Sequence, residues 1–117
     1  MEFTVEFYET SSGRCPVLEF LDELKESNDD DFAAVMAGLS KLKNRHYHRQ
    51  PLSKPISDDL FELRHVGKLN SRILYFFMKG KRIIALHGIR NKAKKIALKD
   101  RKVALGRKRD WLERNLA

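Results

Sequence analysis

Ile73-Leu74-Tyr75-Phe76-Phe77-Met78 is apolar at odd and even positions alike. Successive side chains of a strand point to opposite faces, so this segment needs cover on both sides and marks the centre of a sheet. Its neighbours follow from short turns. Leu60 to Val66 reads as a strand with Glu62 and Arg64 on one face and Phe61, Leu63 and His65 on the other. Gly67-Lys68-Leu69-Asn70 makes a hairpin turn into the strand that opens at Arg72. Lys79-Gly80-Lys81 turns the chain again, and Arg82 to Gly88 returns as a third antiparallel strand.

Helices supply the cover. Phe3, Val5 and Phe7 alternate with polar residues as a half-buried strand, and Thr10-Ser11-Ser12-Gly13 ends it. Pro16 opens a helix whose Val17, Phe20, Leu21 and Leu24 form one stripe, widened by Leu18. Ser27-Asn28-Asp29 stops it and caps a second helix with Phe32, Val35, Met36, Leu39 and Leu42 on one side. Asp29, Asp30 and Asp31 sit at its start and Lys41, Lys43 and Arg45 at its end, as the helix dipole favours. A last helix, about Lys99 to Leu116, repeats Ala97/Leu98, Ala104/Leu105 and Trp111/Leu112 and is basic on most of its exposed face. Residues 43–58 form one long irregular connection. The expected fold is α+β in the order β-α-α-β-β-β-α, an antiparallel sheet with an N-terminal helical hairpin, as a single domain over residues 1–117.

Charge is divided unevenly. The net charge is −8 over residues 1–39, +5 over 40–78 and +11 over 79–117. A field this one-sided draws a polyanion to the C-terminal half. Nucleic acid, the ribosome and an acidic protein partner all fit; charge alone does not separate them. A lone Cys15 excludes a disulfide framework and a multi-cysteine zinc site, and His46, His48, His65 and His87 lack companions at ligand spacing. The scattered glycines form no phosphate loop. No run approaches the roughly 18 apolar residues of a membrane span, and the N-terminus lacks the pattern of a signal peptide, so a cytoplasmic protein without metal or cofactor is expected.

The sharpest functional signal is a set of cations on adjacent strands. Arg64 ends the first strand of the meander, Arg72 begins the second, and Arg90 and Lys92 follow the third. Antiparallel order returns all four to one rim of the sheet, where an anion would offset their mutual repulsion. Arginine's planar fork matches phosphate oxygens, and a lysine among like charges is shifted toward proton transfer near neutrality. RNA brings its own nucleophile, the 2′-hydroxyl, so such a site needs only in-line positioning, charge stabilisation and proton transfer.

These residues resemble the HigB-like, phage-derived branch of the RelE/ParE toxin superfamily. The resemblance runs through Gly13-Arg14-Cys15-Pro16-Val17-Leu18-Glu19-Phe20-Leu21, Pro51-Leu52-Ser53-Lys54-Pro55 and Leu60-Phe61-Glu62-Leu63-Arg64. It is strongest at Arg72-Ile73-Leu74-Tyr75-Phe76-Phe77 and closes at Leu86-His87-Gly88-Ile89-Arg90-Asn91-Lys92. It implies a RelE-like fold and the toxin of a type II toxin–antitoxin system. The implied activity is metal-independent, ribosome-dependent cleavage of mRNA through a 2′,3′-cyclic phosphate, neutralised by a helix-turn-helix antitoxin. Carried over by motif, Arg72 contacts the scissile phosphate, Arg90 stabilises the transition state and Lys92 shuttles a proton. Arg64 either contacts substrate or holds the sheet edge; Lys94 and Lys95 with the basic helix contact RNA, and Trp111 offers a ring for stacking.

The run after His87-Gly88 departs from the family pattern, which usually reads Phe, two lysines, Thr, Gln, Lys, Thr and Pro. Here it is Ile89-Arg90-Asn91-Lys92-Ala93-Lys94-Lys95-Ile96-Ala97. The departure motivates a second expectation, a module of the same fold that binds RNA or its partner without the chemistry. A third, gyrase inhibition as in the ParE branch, fits the motifs less well.

Overall fold

A computed structural model describes residues 2–57 and 59–116; Met1, Asp58 and Ala117 lie outside the described residues, so the predicted 43–58 connection and the 1–117 domain are described without them. The elements are β1 (Thr4–Phe7), α1 (Pro16–Ser27), α2 (Asp29–Lys41), a 3-10 turn (Arg45–Tyr47), β2 (Ser53–Pro55), β3 (Phe61–His65), β4 (Asn70–Met78), β5 (Arg82–Asn91) and α3 (Leu98–Asn115). The α+β class and the β3-β4-β5 meander are as predicted.

Two features of the sheet differ from the expectation. The sheet is mixed, with strand order β1-β5-β4-β3-β2. β1 lies parallel to β5, Thr4 beside Arg82 and Phe7 beside Ala85, because the helical hairpin carries the chain away before it can turn back on itself. The segment expected to be irregular contributes β2, which pairs antiparallel with β3 and places Lys54 opposite Glu62. Its Pro55 sits on the outer strand, where a missing N–H is tolerated. The Ser53 hydroxyl meets the Tyr75 phenol and ties this edge to the centre; burial pushes the phenol up to about 12.

β4 is buried on both faces, as its composition demands. On one side Ile73 and Tyr75 pack with Leu63, Ile83 and Ala85 beneath Val17, Leu21, Leu24, Val35, Leu39 and Leu42 of the hairpin. On the other, Leu74 and Phe76 pack with Leu60, Ile84, Leu86 and Ile89 beneath Ala104 and Trp111 of α3. Each fully buried leucine or isoleucine contributes about 1.5–3 kcal/mol relative to exposure, so both layers are needed. Leu18 and Met36, assigned to the hairpin's apolar stripes, are instead exposed, at the wet margin of their helices. Gly88 lets α1 approach: a Cβ there would lie 2.3 Å from Cγ of Phe20. Among the described residues no helix is long and apolar enough to cross a membrane.

Candidate nucleic-acid interface

The β3–β4 register sets Arg64 directly opposite Arg72, and strand alternation puts Glu62, Arg64 and Arg72 on the face toward α3. Arg72 has no exposed surface. Its Nε lies 3.3 Å from Oε2 of Glu62, itself buried. Its Nη2 donates to the carbonyls of Ala93 (2.7 Å) and Lys94 (2.9 Å), and Nη1 donates to Oδ1 of Asn91 at 3.4 Å. Asn70 also donates to the Ala93 carbonyl, and the same Asn91 oxygen accepts the Ala93 N–H. Arg72 is therefore the post on which the segment after β5 is hung.

That segment lifts Lys92, Lys94 and Lys95 into solvent. Together with Lys54 of β2 and Arg101 of α3, Lys94 and Lys95 rim a cleft of about 410 Å³ with Glu62 in its wall. Arg101 donates to Oγ of Ser57 at 3.2 Å, while its buried Nε has no partner among the described residues. Against four cations the lining has one carboxylate among the described residues, and Arg72 already stands behind it. A phosphodiester placed here would meet several mobile ammonium groups and one fixed guanidinium. Anion binding and stabilisation of charge developing on phosphoryl oxygens are what such an arrangement can do.

Arg90 is not part of this cleft. The β4–β5 register slips between Leu74 and Tyr75, pairing Leu74 with His87 and Tyr75 with Ala85. A bulge reverses the facing of every later residue. Strict alternation from Ile84 and Leu86 would put Arg90 on the α3 face with Arg72; after the bulge it faces α2. There its Nη2 meets Oδ2 of Asp31 at 3.0 Å, and Nε2 of His65 meets the other carboxylate oxygen at 3.1 Å. The Arg90 hydrogen bond holds the Asp31 carboxyl below its ordinary value, against the opposing pull of burial, with His65 adding to it. Four cations do share one end of the sheet, but not one face of it.

The remaining predicted positions are placed as follows. Arg64 lines a different cleft, beside the 3-10 turn. Trp111, predicted as a stacking platform, is 6% exposed, edge-on to Phe76 and capped by the Arg82 guanidinium. Its ring fills the core under α3 and has no face to offer a base. His87, unassigned from sequence, fastens α3: Arg107 donates to its Nδ1, so Nε2 carries the hydrogen and donates to Asp100 at 2.9 Å. Lys54 and Arg101 were not singled out from sequence. The signal for Lys54 was its pairing with Glu62, visible only once β2 is known.

A family model matches residues 19–109, from the first turns of α1 to near the end of α3, with the description phage-derived protein Gp49-like (DUF891). The chain belongs to the phage-derived Gp49-like family. That family falls within the RelE/HigB-like toxin group. The match takes in β2 through β5, the lysine-bearing segment and Arg101 of this Gp49-like chain, and stops short of Trp111. Among curated proteins none matches the chain.

Proposed function

We propose that this Gp49-like protein is the toxin of a type II toxin–antitoxin pair and cleaves mRNA on the ribosome. The observation that carries the reading is the cleft beside the buried Glu62–Arg72 pair, rimmed by Lys54, Lys94, Lys95 and Arg101. In the reaction proposed, the RNA 2′-hydroxyl attacks the neighbouring phosphorus, the bond to the 5′-oxygen breaks, and a 2′,3′-cyclic phosphate remains. Lys94, Lys95 and Arg101 take the charge on the non-bridging oxygens. The Glu62 carboxylate accepts the 2′-hydroxyl proton, and Lys92 delivers one to the departing 5′-oxygen. Arg72 acts as a positioning residue in this scheme, because it is fully buried, with its Nη groups bonded to Asn91, Ala93 and Lys94 and its Nε beside the Glu62 carboxylate. Arg90, anchored to Asp31, keeps the end of β5 against α2. The ribosome supplies the in-line geometry, and a helix-turn-helix antitoxin would silence the protein by bringing carboxylates to the basic rim.

A second reading, an RNA-binding module without chemistry, draws on the burial of Arg72, which leaves the guanidinium no exposed surface to offer a phosphate. Expression in growing cells separates the two. The nuclease reading expects growth arrest, codon-phased mRNA 5′ ends by primer extension, and loss of both in Lys94→Ala/Lys95→Ala and in Glu62→Gln. Unimpaired growth with intact mRNA, from protein that still binds RNA in a salt-sensitive way, rejects it in favour of the binding module.

A further inference from the structure

A second cleft lies outside the site just described, at the opposite end of β2. It encloses about 470 Å³ between the end of α2, the 3-10 turn and the end of β3, and its charged and aromatic lining is Lys41, His46, Tyr47, Arg49, Arg64 and His65. Among the described residues no carboxylate lines it. Arg14, Arg72, Arg82, Arg90 and Arg114 each hold an ion pair, whereas Arg45, Arg101, Arg107 and Arg109 hold none among the described residues. Arg49 and Arg64 hold none among the described residues, and both line this cleft. His65 is the exception in the lining, committed to Asp31 of α2.

The cleft is also organised. Asn44 caps the 3-10 turn by accepting the His46 N–H. Arg49 donates Nε to the His46 carbonyl (3.1 Å) and Nη2 to Nδ1 of His46 (3.0 Å), which fixes the imidazole. The imidazole stands perpendicular to the Tyr47 ring at 5.4 Å. Tyr47 is 37% exposed, and its present neighbour over the ring is the Lys41 ammonium at 5.7 Å, a side chain free to swing aside. The Arg64 N–H to the Leu52 carbonyl and the Ser53 N–H to the Arg49 carbonyl hold the connecting segment against β3.

We infer that this cleft binds one nucleotide of a single-stranded RNA, its base stacked on Tyr47 and its phosphate held by Arg49 and Lys41, with Arg64 at the rim on the sheet edge. Cations alone would serve an acidic peptide equally well. The braced, exposed aromatic ring is what favours RNA, since single-strand binding combines a basic groove with rings that accept any base. A cleft of this size is ample for a nucleotide. The inference rests on the reading that the chain acts on RNA, and gives that RNA a second point of attachment away from Lys94 and Lys95.

Fluorescence anisotropy with a labelled single-stranded oligoribonucleotide, read across a salt series, tests it. Tyr47→Ala should weaken binding about tenfold with an unchanged salt slope, and Tyr47→Phe should restore it. Arg49→Ala and Arg64→Ala should each make the log–log salt slope shallower by about 0.7. Tyr47 and Arg49 are exposed and Arg64 is half-buried, and circular dichroism confirms that each variant is folded. If RNA affinity and slope are unchanged in all of them while Lys94→Ala/Lys95→Ala binds weakly, the second cleft is rejected and the first stands. If wild-type protein binds no RNA at low salt, both readings fall. If poly-glutamate binds through Arg49 and Arg64, indifferent to Tyr47, and RNA does not, the cleft belongs to an acidic protein and the inference is overturned.

Discussion

Replacing Arg72 by Met distinguishes a structural post from a phosphate ligand. The guanidinium is fully buried, and removing it leaves the Glu62 side chain, 5% exposed, without its counter-charge. Breaking a buried pair from one side costs about 3–5 kcal/mol, since the orphaned carboxylate keeps its desolvation penalty. The Ala93 and Lys94 carbonyls lose a shared donor at 2.7 and 2.9 Å. They lie in an exposed segment where water can replace it, so this adds only about 1 kcal/mol. A total of about 4–6 kcal/mol is a large part of the 5–15 kcal/mol that holds a typical domain together. Urea unfolding of Arg72→Met, Glu62→Met and the double variant should give a strong coupling, with the double variant more stable than Arg72→Met alone. Amide exchange at Lys94 and Lys95 should accelerate in Arg72→Met. A loss below about 1 kcal/mol, the scale of an exposed pair, would refute the argument and return Arg72 to the list of groups free to grip substrate.

Removing the Trp111 ring with Trp111→Ala should cost about 3–5 kcal/mol by opening a cavity under α3, while Trp111→Phe leaves the salt dependence of RNA binding as in wild type. Denaturation and anisotropy on the same preparations check both. The Asp31 carboxyl titrates below its ordinary 3.8 in the folded protein. Its contribution is therefore fully present above that pH and lost as pH falls through the lowered folded value. Asp31→Asn should flatten the acid limb of the stability–pH curve measured by urea midpoints; a curve of unchanged shape would mean the Arg90 and His65 contacts are not formed in solution.

Much of the fold was legible in the sequence because its signals are local. The doubly apolar β4, the turns at Gly67 and Gly80, Pro16 and the Asn28 cap each announce themselves within a few residues. The parallel pairing of β1 with β5 is a tertiary event with no local mark, and β2 is three residues long and contains a proline. The candidate site was less legible for a related reason. Position along a strand tells which end of the sheet a residue reaches, and by that measure Arg64, Arg72, Arg90 and Lys92 were placed at one end. Which face it takes depends on counting by twos, and a bulge at Leu86 moves Arg90 to the far face. Burial of Arg72 was not foreseen, since the sequence reading gave it the scissile phosphate, and the three polar groups that complete its cage come from Asn91 at the end of β5 and from the segment after it. The lysines of that segment were visible as charge; that one buried arginine holds them in place was not.

We propose a phosphodiester reaction driven by the chain's own cations and carboxylate, with geometry lent by the ribosome. Its most direct test is purified protein added to ribosomes programmed with a defined mRNA, with the products' end groups read by mass spectrometry. Cleavage is expected only on the ribosome, with a 2′,3′-cyclic phosphate upstream and a 5′-hydroxyl downstream, retained when EDTA is added to the protein beforehand and lost in Glu62→Gln. Intact mRNA, or ends bearing a 3′-hydroxyl and 5′-phosphate, would contradict it.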